Sequence, residues 1–256
     1  MPLSLPQTPV HVVVLAAGRG SRLSAGGTVP KWLLEVGGRT LAERQLEGVS
    51  RARAAGAVAS AQVVVGHEGD AIEQALAHSD PDVGVIRNEE FAELNNWWSL
   101  LRALRELPEE GPVAVINADL LADPEHIAAF IEDAAQPESD ALICVDLERP
   151  LTDESMKVSR GPDGSLERIA KVGVDAPAGE YIGLLMARGD ALRQVRAVLE
   201  GLVGRPAAAN DWYEGAVGRT AAAGVEWRIW PMPSSAWVEI DDDADLDAAH
   251  AMVGAG

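Results

Sequence analysis

A glycine-rich segment near the start of the chain has the residue types needed to hold a triphosphate. It follows an apolar run ending at Leu15, contains Gly18 and Gly20, continues with Arg22, and reaches Lys31 after a proline. Glycine lets the backbone approach an anion closely, and such a turn leaves backbone N–H groups free to donate to phosphate oxygens. With the two cations added, the segment predicts a site for a nucleoside triphosphate.

The spacing of this segment excludes two common phosphate loops. A Walker loop ends in Gly-Lys-Ser/Thr, whereas here the lysine lies well downstream. A dinucleotide fingerprint needs a third glycine where Leu23 stands. With its Leu-Ala-Ala prefix and Pro30-Lys31, the segment resembles the signature of nucleotidyltransferases that share the sugar-nucleotide pyrophosphorylase-type fold. A glycine-rich strand-to-helix turn of another α/β protein is the alternative.

The lysine content gives an independent argument, because the chain has 18 arginines and only three lysines. In a chain that uses arginine as its usual cation, we expect a lysine to be kept where the function requires a compact ammonium. Such an ammonium acts on phosphate as a point charge. This singles out Lys31, and with it Lys157 and Lys171. For the last two, chance retention on an exposed strand edge is the alternative.

Two aspartates follow apolar runs of strand length. Asp119 comes after Val113–Asn117, and the helix that follows already has a cap in Asp123-Pro124. Asp241 closes the run Trp237–Ile240, where later acids can cap the closing helix. Two carboxylates from different strands are how proteins hold Mg²⁺ when phosphates supply its other ligands. The alternative for Asp241 is an acidic helix N-terminus without a metal.

Apolar runs of strand length alternate with helix-period segments over the first 150 residues. This βαβ pattern predicts an α/β fold with a doubly wound, mostly parallel mixed sheet, in which ligands bind beyond the carboxyl ends of the strands. The predicted strands and helices are Val12–Ala16, Thr40–Ala55, Ala61–Val65, Asp70–Ala77, Val83–Arg87, Asn96–Leu107, Val113–Asn117, Pro124–Ala134 and Ala141–Leu147.

After residue 150 the pattern changes to short strands. A hairpin is predicted around Gly161-Pro162-Asp163-Gly164, followed by the strand Tyr181–Ala187. We therefore expect one domain over 1–256, with a nucleotide-binding core at about 1–150 and 225–253 and a small β-rich acceptor-binding insertion at about 151–224. The remaining predicted elements are the helices Asp190–Leu199 and Asn210–Ala222, the strands Val225–Trp230 and Val238–Ile240, and a closing helix from about Ala244.

Composition limits the partners and the compartment. The 256 residues carry a formal net charge of −19, which argues against a nucleic acid or an anionic membrane as partner. Cys144 is the one cysteine and falls in an apolar run, so it is expected to be buried. Residues 1–9 lack the basic and apolar pattern of a signal peptide, and no window is long enough for a membrane span. These features predict a cytoplasmic protein, and they leave room for a homodimer.

Beyond the glycine-rich segment, the chain is similar to the bacterial phosphocholine cytidylyltransferases and phosphonate cytidylyltransferases, a MobA-like branch of the nucleotidyltransferases. The similarity extends from about His11 to Val253. The residues that carry it are Val85-Ile86-Arg87-Asn88, Phe91, Asn95-Asn96, Ser99-Leu100, Met156-Lys157-Val158, Ile169 to Lys171, Gly179 to Gly183, and Glu239-Ile240-Asp241.

The resemblance implies a CTP pocket, Mg²⁺ on Asp119 and Asp241, and a small phosphorylated or phosphonate acceptor. The implied catalytic residues are Lys31, Arg22 and Lys157. The implied nucleotide-binding residues are Leu15, Ala16, Ala17, Gly18, Arg19, Gly20, Ser21, Arg22, Lys31, Gly66, Asn88, Asn95, Asn96, Ser99 and Ala118. The implied acceptor-binding residues are Lys157, Lys171, Glu180, Tyr181, Asp211 and Trp212.

The acceptor itself is left open by the sequence. Trp212, Tyr213 and Tyr181 could form an aromatic cage for a quaternary ammonium, with Asp211 or Glu180 as counter-charge, or they could be core residues. The expected reaction is in-line attack of an ionised acceptor oxygen on the α-phosphorus of CTP, with release of pyrophosphate.

Three alternatives accompany this expectation. The first is a sugar-1-phosphate or molybdopterin nucleotidyltransferase that uses another base. The second is a glycosyltransferase that binds a nucleotide-sugar, although Asp119-Leu120-Leu121 lacks the Asp-x-Asp pattern. The third is a nucleotide-binding module without catalysis.

Overall fold

The computed structural model describes residues 7–20, 22–23, 29–80 and 82–254. Within them the strands are β1 Val10–Ala16, β2 Glu35–Val36, β3 Arg39–Thr40, β4 Val58–Val65, β5 Gly84–Arg87, β6 Val113–Asn117, β7 Leu120–Ala122, β8 Ala141–Asp146, β9 Lys157–Arg160, β10 Leu166–Ala170, β11 Gly179–Ala187, β12 Arg228–Pro231 and β13 Trp237–Glu239. The α-helices are α1 Leu41–Ala54, α2 Gly69–Ser79, α3 Asn96–Glu106, α4 Pro124–Ala134, α5 Gly189–Glu200, α6 Glu214–Ala222 and α7 Asp243–Gly254. Short 3₁₀ helices cover Lys31–Leu33, Pro206–Ala208 and Ser234–Ala236.

The main sheet is mixed, and its first half is parallel. The strands β5, β4, β1 and β6 lie side by side in parallel, and β11 then pairs antiparallel with β6. The strand β8 lies on the other side of β11, with β12 parallel to it at the far edge. This is the doubly wound, mostly parallel mixed sheet that the sequence predicts.

Helices cover both faces of this sheet, because its central strands are apolar on both sides. Alternate residues of β1 belong to different core clusters, as a period of two requires. Val12 and Val14 pack in the cluster that includes residues of α1, α2 and α4, whereas Val13 and Leu15 pack in the cluster that includes residues of α3, α5 and α6. Cys144 is fully buried, as predicted.

Two features of the second half shape the edge of the sheet where ligands are expected. The predicted hairpin is present as β9 and β10, and the beginning of β11 pairs with β9. At Gly183 the strand β11 changes neighbour from β9 to β6, with φ of +85°. A Cβ there would lie 2.8 Å from Cβ of Asn117, so this crossing needs glycine.

Two predicted elements begin three or four residues later in the structure than in the prediction. The helix expected from Asn210 begins at Glu214, because the backbone before it is held by α3: Asn95 donates to the carbonyl of Asn210, and the N–H of Tyr213 donates to Asn96. The strand expected from Val225 begins at Arg228, because the N–H of Val225 donates to Thr220 at the end of α6.

Short elements that the sequence analysis did not predict also appear. The strands β2 and β3 form a tight hairpin around Gly37 and Gly38, both with positive φ as such a turn requires. The strand β7 pairs antiparallel with β13 outside the main sheet. Among the described residues, no helix combines the length and the apolar character needed to cross a membrane.

Candidate active site

A cleft of about 860 Å³ opens at the carboxyl edge of the parallel strands. Its walls come from the loop after β1, the segment from Phe91 to the start of α3, the turn after β6, and the segments beside β11 and β13. In an open α/β sheet this edge is where ligands bind, because the loops after parallel strands meet there.

Four charged side chains from distant parts of the chain meet at this cleft. The ammonium of Lys31 lies 2.5 Å from Oδ1 of Asp241 and 3.5 Å from Oδ2 of Asp119. Arg22 approaches the other oxygen of Asp241, with Nη2 at 2.5 Å from Oδ2. The glycine-rich segment, the lysine and the two acids thus converge, although 210 residues separate Lys31 from Asp241.

A buried glutamine connects the segment that carries Lys31 with the turn that carries Asp119. Gln45 of α1 is fully buried and accepts a hydrogen bond from the indole of Trp32, the residue after Lys31. Its amide nitrogen donates to the carbonyls of Asn117 and Leu120, which flank Asp119. One side chain therefore fixes both the short helix that carries the lysine and the turn that carries the acid.

Strand β13 brings the second acid to the same place. Pairing of β13 with β7 sets Glu239 opposite Leu120, and the N–H of Ile240 donates to the carbonyl of Asp119. Glu239 is the last residue of β13 and Asp241 follows two residues later, and one carboxylate oxygen of each lies within 4.8 Å of one from Asp119.

The strand β13 is itself anchored by a buried carboxylate. Asp146 is fully buried and accepts hydrogen bonds from the indole of Trp237 and the hydroxyl of Ser234, each at 2.8 Å. Arg149 stacks over the Trp237 ring at 4.1 Å and donates to the carbonyls of Ser234 and Trp237. Burial opposes the charge of Asp146, but these donors and the backbone N–H groups of residues 148 and 149 lower its pKa.

The pKa values of the acids in the cleft are shifted in different directions. Burial, then Asp119 and Asp241, raise the pKa of Glu239 well above its usual value. Burial also raises the pKa of Asp119 despite the nearby Lys31. Asp241 is partly desolvated too, but Lys31 and Arg22 outweigh that cost and lower its pKa. Burial disfavours the ammonium of Lys31, yet the two aspartates raise its pKa on balance.

The donor set fits a hard divalent cation. One carboxylate oxygen from each of Asp119, Glu239 and Asp241 lies within 4.8 Å of the others. Oδ1 of Asp119 is buried and has no hydrogen-bond partner among the described residues. Carboxylate oxygens are the ligands that Mg²⁺ takes together with substrate phosphates. These three residues are therefore the ones that would hold the metal.

The glycine-rich loop lies against the lysine. Gly20 has φ of +58°, and a Cβ on it would lie 2.8 Å from Cγ of Lys31, so a larger residue would displace the lysine. The guanidinium of Arg19 lies over the ring of Phe91, 5.7 Å from its centroid, and closes one side of the cleft. Ser21, predicted to bind the nucleotide, lies outside the described residues.

Asn95 and Asn96 line the cleft but are already engaged. Asn95 caps α3, and its side-chain amide oxygen accepts from the N–H of Asn96. Asn96 accepts from the N–H of Tyr213 and donates to Glu214. Below them, buried Asn88 donates to the hydroxyl of Ser99 at 2.9 Å. Asn88 thus orients Ser99, which lies on the cleft wall.

The aromatic residues predicted near the acceptor separate into two groups. Tyr181 and Tyr213 are buried in the core, and their hydroxyls lie 2.8 Å apart, with that of Tyr213 donating to Asn117. Trp212 is 42% exposed on the cleft wall, and the ammonium of Lys171 lies 5.5 Å from its ring centroid. An aromatic cage of all three side chains is therefore not formed, because the tyrosines close a buried polar network instead.

The predicted site residues fall into two sets by position. Those on the cleft wall are Leu15, Ala17, Gly18, Arg19, Arg22, Asn95, Asn96, Ser99, Asp119, Lys171, Glu180, Tyr181, Trp212 and Asp241. Those off that wall are Ala16, Gly20, Lys31, Gly66, Asn88, Ala118, Lys157 and Asp211, of which Lys31 and Gly20 reach the site through the contacts above. The ammonium of Lys157 donates to the carbonyls of Lys171 and Ser155, and Asp211 lies 3.9 Å from Arg219.

Sequence reasoning did not assign a role to Glu239 or Glu214. Glu239 completes the acidic triad, and its position two residues before Asp241 on a strand was the available signal. Glu214 is a buried acid on the cleft wall. Its pKa is raised to about 7, mainly because burial disfavours the carboxylate. No local pattern marks Glu214, since its environment depends on contacts between the start of α6 and the distant Asn96.

Two known proteins are similar to this chain in sequence. The chain is 30% identical over 248 residues to the CMP-5'-(3-aminopropyl)phosphonate synthase of Streptomyces rubellomurinus, covering 93% of this chain and 38% of that protein. It is 32% identical over 133 residues to the bifunctional protein GlmU of a Polaromonas species, covering 49% of this chain and 26% of that protein. The chain thus spans well under half the length of either relative.

Solved structures share the fold over nearly the whole chain. The CTP:phosphocholine cytidylyltransferase of Streptococcus pneumoniae superposes with a TM-score of 0.78 at 20% identity, covering 96% of this chain and 99% of that one. The inositol-1-phosphate CTP transferase of T. maritima gives 0.77 at 20% identity, covering 97% of both chains. Residues 12–213 match the MobA-like NTP transferase domain, which is most of the chain. This chain therefore belongs to the MobA-like NTP transferase family of nucleotidyltransferases.

Proposed function

We propose that this protein is a cytidylyltransferase that transfers CMP from CTP to a small phosphonate or phosphomonoester and releases pyrophosphate. The observation that carries the proposal is the convergence of Lys31, Arg22, Asp119 and Asp241 beside a glycine-rich loop, in a chain of the NTP transferase family. The choice of CTP and of a phosphonate is supported by the relative named as a CMP-phosphonate synthase, which matches 93% of this chain.

The chemistry requires alignment and charge neutralisation more than proton transfer. A phosphonate or phosphate oxygen is already largely ionised near neutral pH, so no general base has to take a proton. This oxygen forms a bond to the α-phosphorus of CTP while the bond from that phosphorus to the β-phosphate oxygen breaks, and pyrophosphate leaves. Two anions must meet, so cations have to offset their repulsion.

Each residue of the site has a role in this scheme. Lys31 lies 2.5 Å from Asp241 and 3.5 Å from Asp119, and its ammonium would turn from these acids to a phosphate oxygen of the bound nucleotide. Its raised pKa keeps the ammonium charged. Arg22 is half exposed at the cleft and would hold the outer phosphates. Asp119, Glu239 and Asp241 would hold Mg²⁺, which when bound screens phosphate charge and stabilises the leaving pyrophosphate.

A pyrophosphate-release screen tests this proposal. Purified protein with MgCl₂ is incubated with each of ATP, CTP, GTP and UTP, and with phosphocholine, 2-aminoethylphosphonate, 3-aminopropylphosphonate or inositol-1-phosphate as acceptor. We expect turnover with CTP and one of the first three acceptors, and loss of turnover in Asp119→Ala. Preference for another triphosphate would show a nucleotidyltransferase of different base specificity. Absence of pyrophosphate in every combination would refute the activity.

A further inference from the structure

Glu214 is a buried acid of the cleft that lacks a cation. Its side chain is on the cleft wall, and the residue is only 6% exposed. Its hydrogen-bond partners are neutral: the amide of Asn96 at 3.4 Å, the side chain of Tyr213 and its own backbone. Among the described residues, no lysine, arginine or histidine nitrogen lies within 4.0 Å of its carboxylate.

Five other acids of the cleft are in a different situation. Asp119 and Asp241 pair with Lys31, and the exposed Glu154 pairs with Lys171. Glu180 is also buried, but the charges of Arg149 and Lys157 act on it. Glu239 belongs to the acidic triad. Burial without a cation disfavours the ionised carboxylate of Glu214, and its pKa is raised to about 7 for that reason. A cation that arrives with the substrate would supply the missing partner and favour the charged form.

The surroundings of Glu214 indicate where that cation would sit. The neighbouring Tyr213 donates to Asn117, two residues before Asp119, and the charge of Asp119 acts on Glu214, so Glu214 lies on the part of the wall near the triad. Trp212 lies on the same segment and exposes its ring on the cleft wall. An acceptor with its phosphorus group near Lys31 would extend its other end along this wall toward α6.

We propose that Glu214 binds a positively charged nitrogen of the acceptor and thereby selects amine-bearing phosphonates or phosphomonoesters over uncharged ones. This inference rests on the proposed function, since it concerns the second substrate of the same site. An ammonium beside Glu214 pairs with a desolvated carboxylate, whereas an alkyl or hydroxyl group at that point leaves the charge unpaired. The site therefore discriminates by charge and not by size alone.

The test compares two acceptors of nearly the same shape, 3-aminopropylphosphonate and n-butylphosphonate, in which a methyl group replaces the ammonium. We expect kcat/KM of the wild-type protein to favour the amine. Glu214→Gln should lose roughly 10- to 100-fold on the amine, mainly through KM, while changing only slightly on n-butylphosphonate. Glu125→Gln, the same change in the first turn of α4 and outside the cleft, is the matched control and should alter neither value.

Several results would overturn the inference. One is equal loss on both acceptors in a folded Glu214→Gln protein, which indicates a structural role. Another is wild-type protein that does not prefer the amine, a result that needs no variant. Thermal shift by the two acceptors in the presence of CTP gives a readout independent of turnover: the amine should stabilise wild-type protein more than Glu214→Gln. If no nucleotide is turned over at all, the proposed function fails, and this binding comparison still decides the role of Glu214.

Discussion

Replacing Lys31 by methionine tests whether its ammonium holds the acidic cluster together. The side chain is 14% exposed and contacts Asp119 and Asp241, which are each about a quarter exposed. Methionine keeps much of the apolar length of lysine and removes only the charge. Without the ammonium, the carboxylates of the triad, whose oxygens lie within 4.8 Å of one another, repel each other.

The size of the effect follows from this geometry. Removing one partner from a buried ion pair costs about 3–5 kcal/mol, and two charges at this separation repel by about 3 kcal/mol at an effective dielectric constant of about 20. The cost is reduced here because the pair retains some solvent, Arg22 still holds Asp241, and Glu239 can take up a proton. We therefore expect Lys31→Met to lower the free energy of unfolding by about 2–3 kcal/mol.

Magnesium should recover part of this loss. In the wild-type protein a metal competes with Lys31 for Asp241, whereas in the variant the same acids are unpaired, so the variant should bind Mg²⁺ more tightly. A ligand at ten times its dissociation constant stabilises the native state by about 1.4 kcal/mol. The variant should thus gain more stability from MgCl₂ than the wild-type protein does, while its turnover stays low.

Urea unfolding followed by circular dichroism, with and without MgCl₂, measures both effects. The control is Arg105→Met, which removes one partner of the exposed pair with Glu200 and should cost less than about 1 kcal/mol, with the same magnesium response as the wild-type protein. The reasoning is refuted if Lys31→Met is as stable as this control, or if magnesium stabilises variant and wild type equally.

Three further predictions use the same structure. Asp119→Ala should lower kcat of pyrophosphate release by roughly 10³-fold or more with an unchanged far-UV spectrum, because the side chain of Gln45 donates to the carbonyls of Asn117 and Leu120 and so holds the turn that carries Asp119. Asp146→Asn should lower the free energy of unfolding, measured with urea at neutral pH, by about 2–3 kcal/mol. The pKa of Asp146 is lower in the folded state than its usual value of 3.8. The difference between variant and wild type should therefore be fully present above pH 3.8 and should disappear as the pH falls through the folded-state pKa. Glu214 has its pKa raised to about 7, so the folded state binds the extra proton. Wild-type stability relative to Glu214→Gln should then fall by about 1–3 kcal/mol between about pH 5 and pH 8, and a flat difference would contradict the assignment.

Much of the fold could be predicted from the sequence, because the spacing of apolar residues and the helix-capping residues act locally. Val113–Asn117 and Pro124–Ala134 have the predicted limits, and the predicted cap Asp123 accepts from the N–H of Glu125. The helix α6 is the instructive exception: its sequence favours a helix from Asn210, but side chains of α3 occupy the backbone groups that such a helix would use. Local propensity cannot show a contact between segments more than 100 residues apart.

The candidate site likewise has features that local sequence predicts and features that depend on contacts between distant segments. Asp119 and the glycine-rich loop could be placed together because both follow parallel strands, whose carboxyl ends meet at one edge. The role of Gln45 could not be predicted, since a glutamine within a helix gives no sign that it joins Trp32 to the turn around Asp119. Likewise Asn88 lies beneath the wall and reaches the cleft only through Ser99.

The acidic triad forms because the segment Glu239-Ile240-Asp241 is held against the turn that carries Asp119. In Glu239-Ile240-Asp241 the middle residue is fully buried, so the two acids must turn the other way. The N–H of Ile240 donates to the carbonyl of Asp119, and this hydrogen bond fixes the position of the two acids relative to Asp119. This backbone hydrogen bond joins segments about 120 residues apart in the sequence and brings Glu239 and Asp241 to Asp119, while the contacts of Gln45 bring Lys31 to the same place. Any substitution that shifts β13 against β7 should weaken metal binding before it weakens the main sheet, because β13 is not one of its strands.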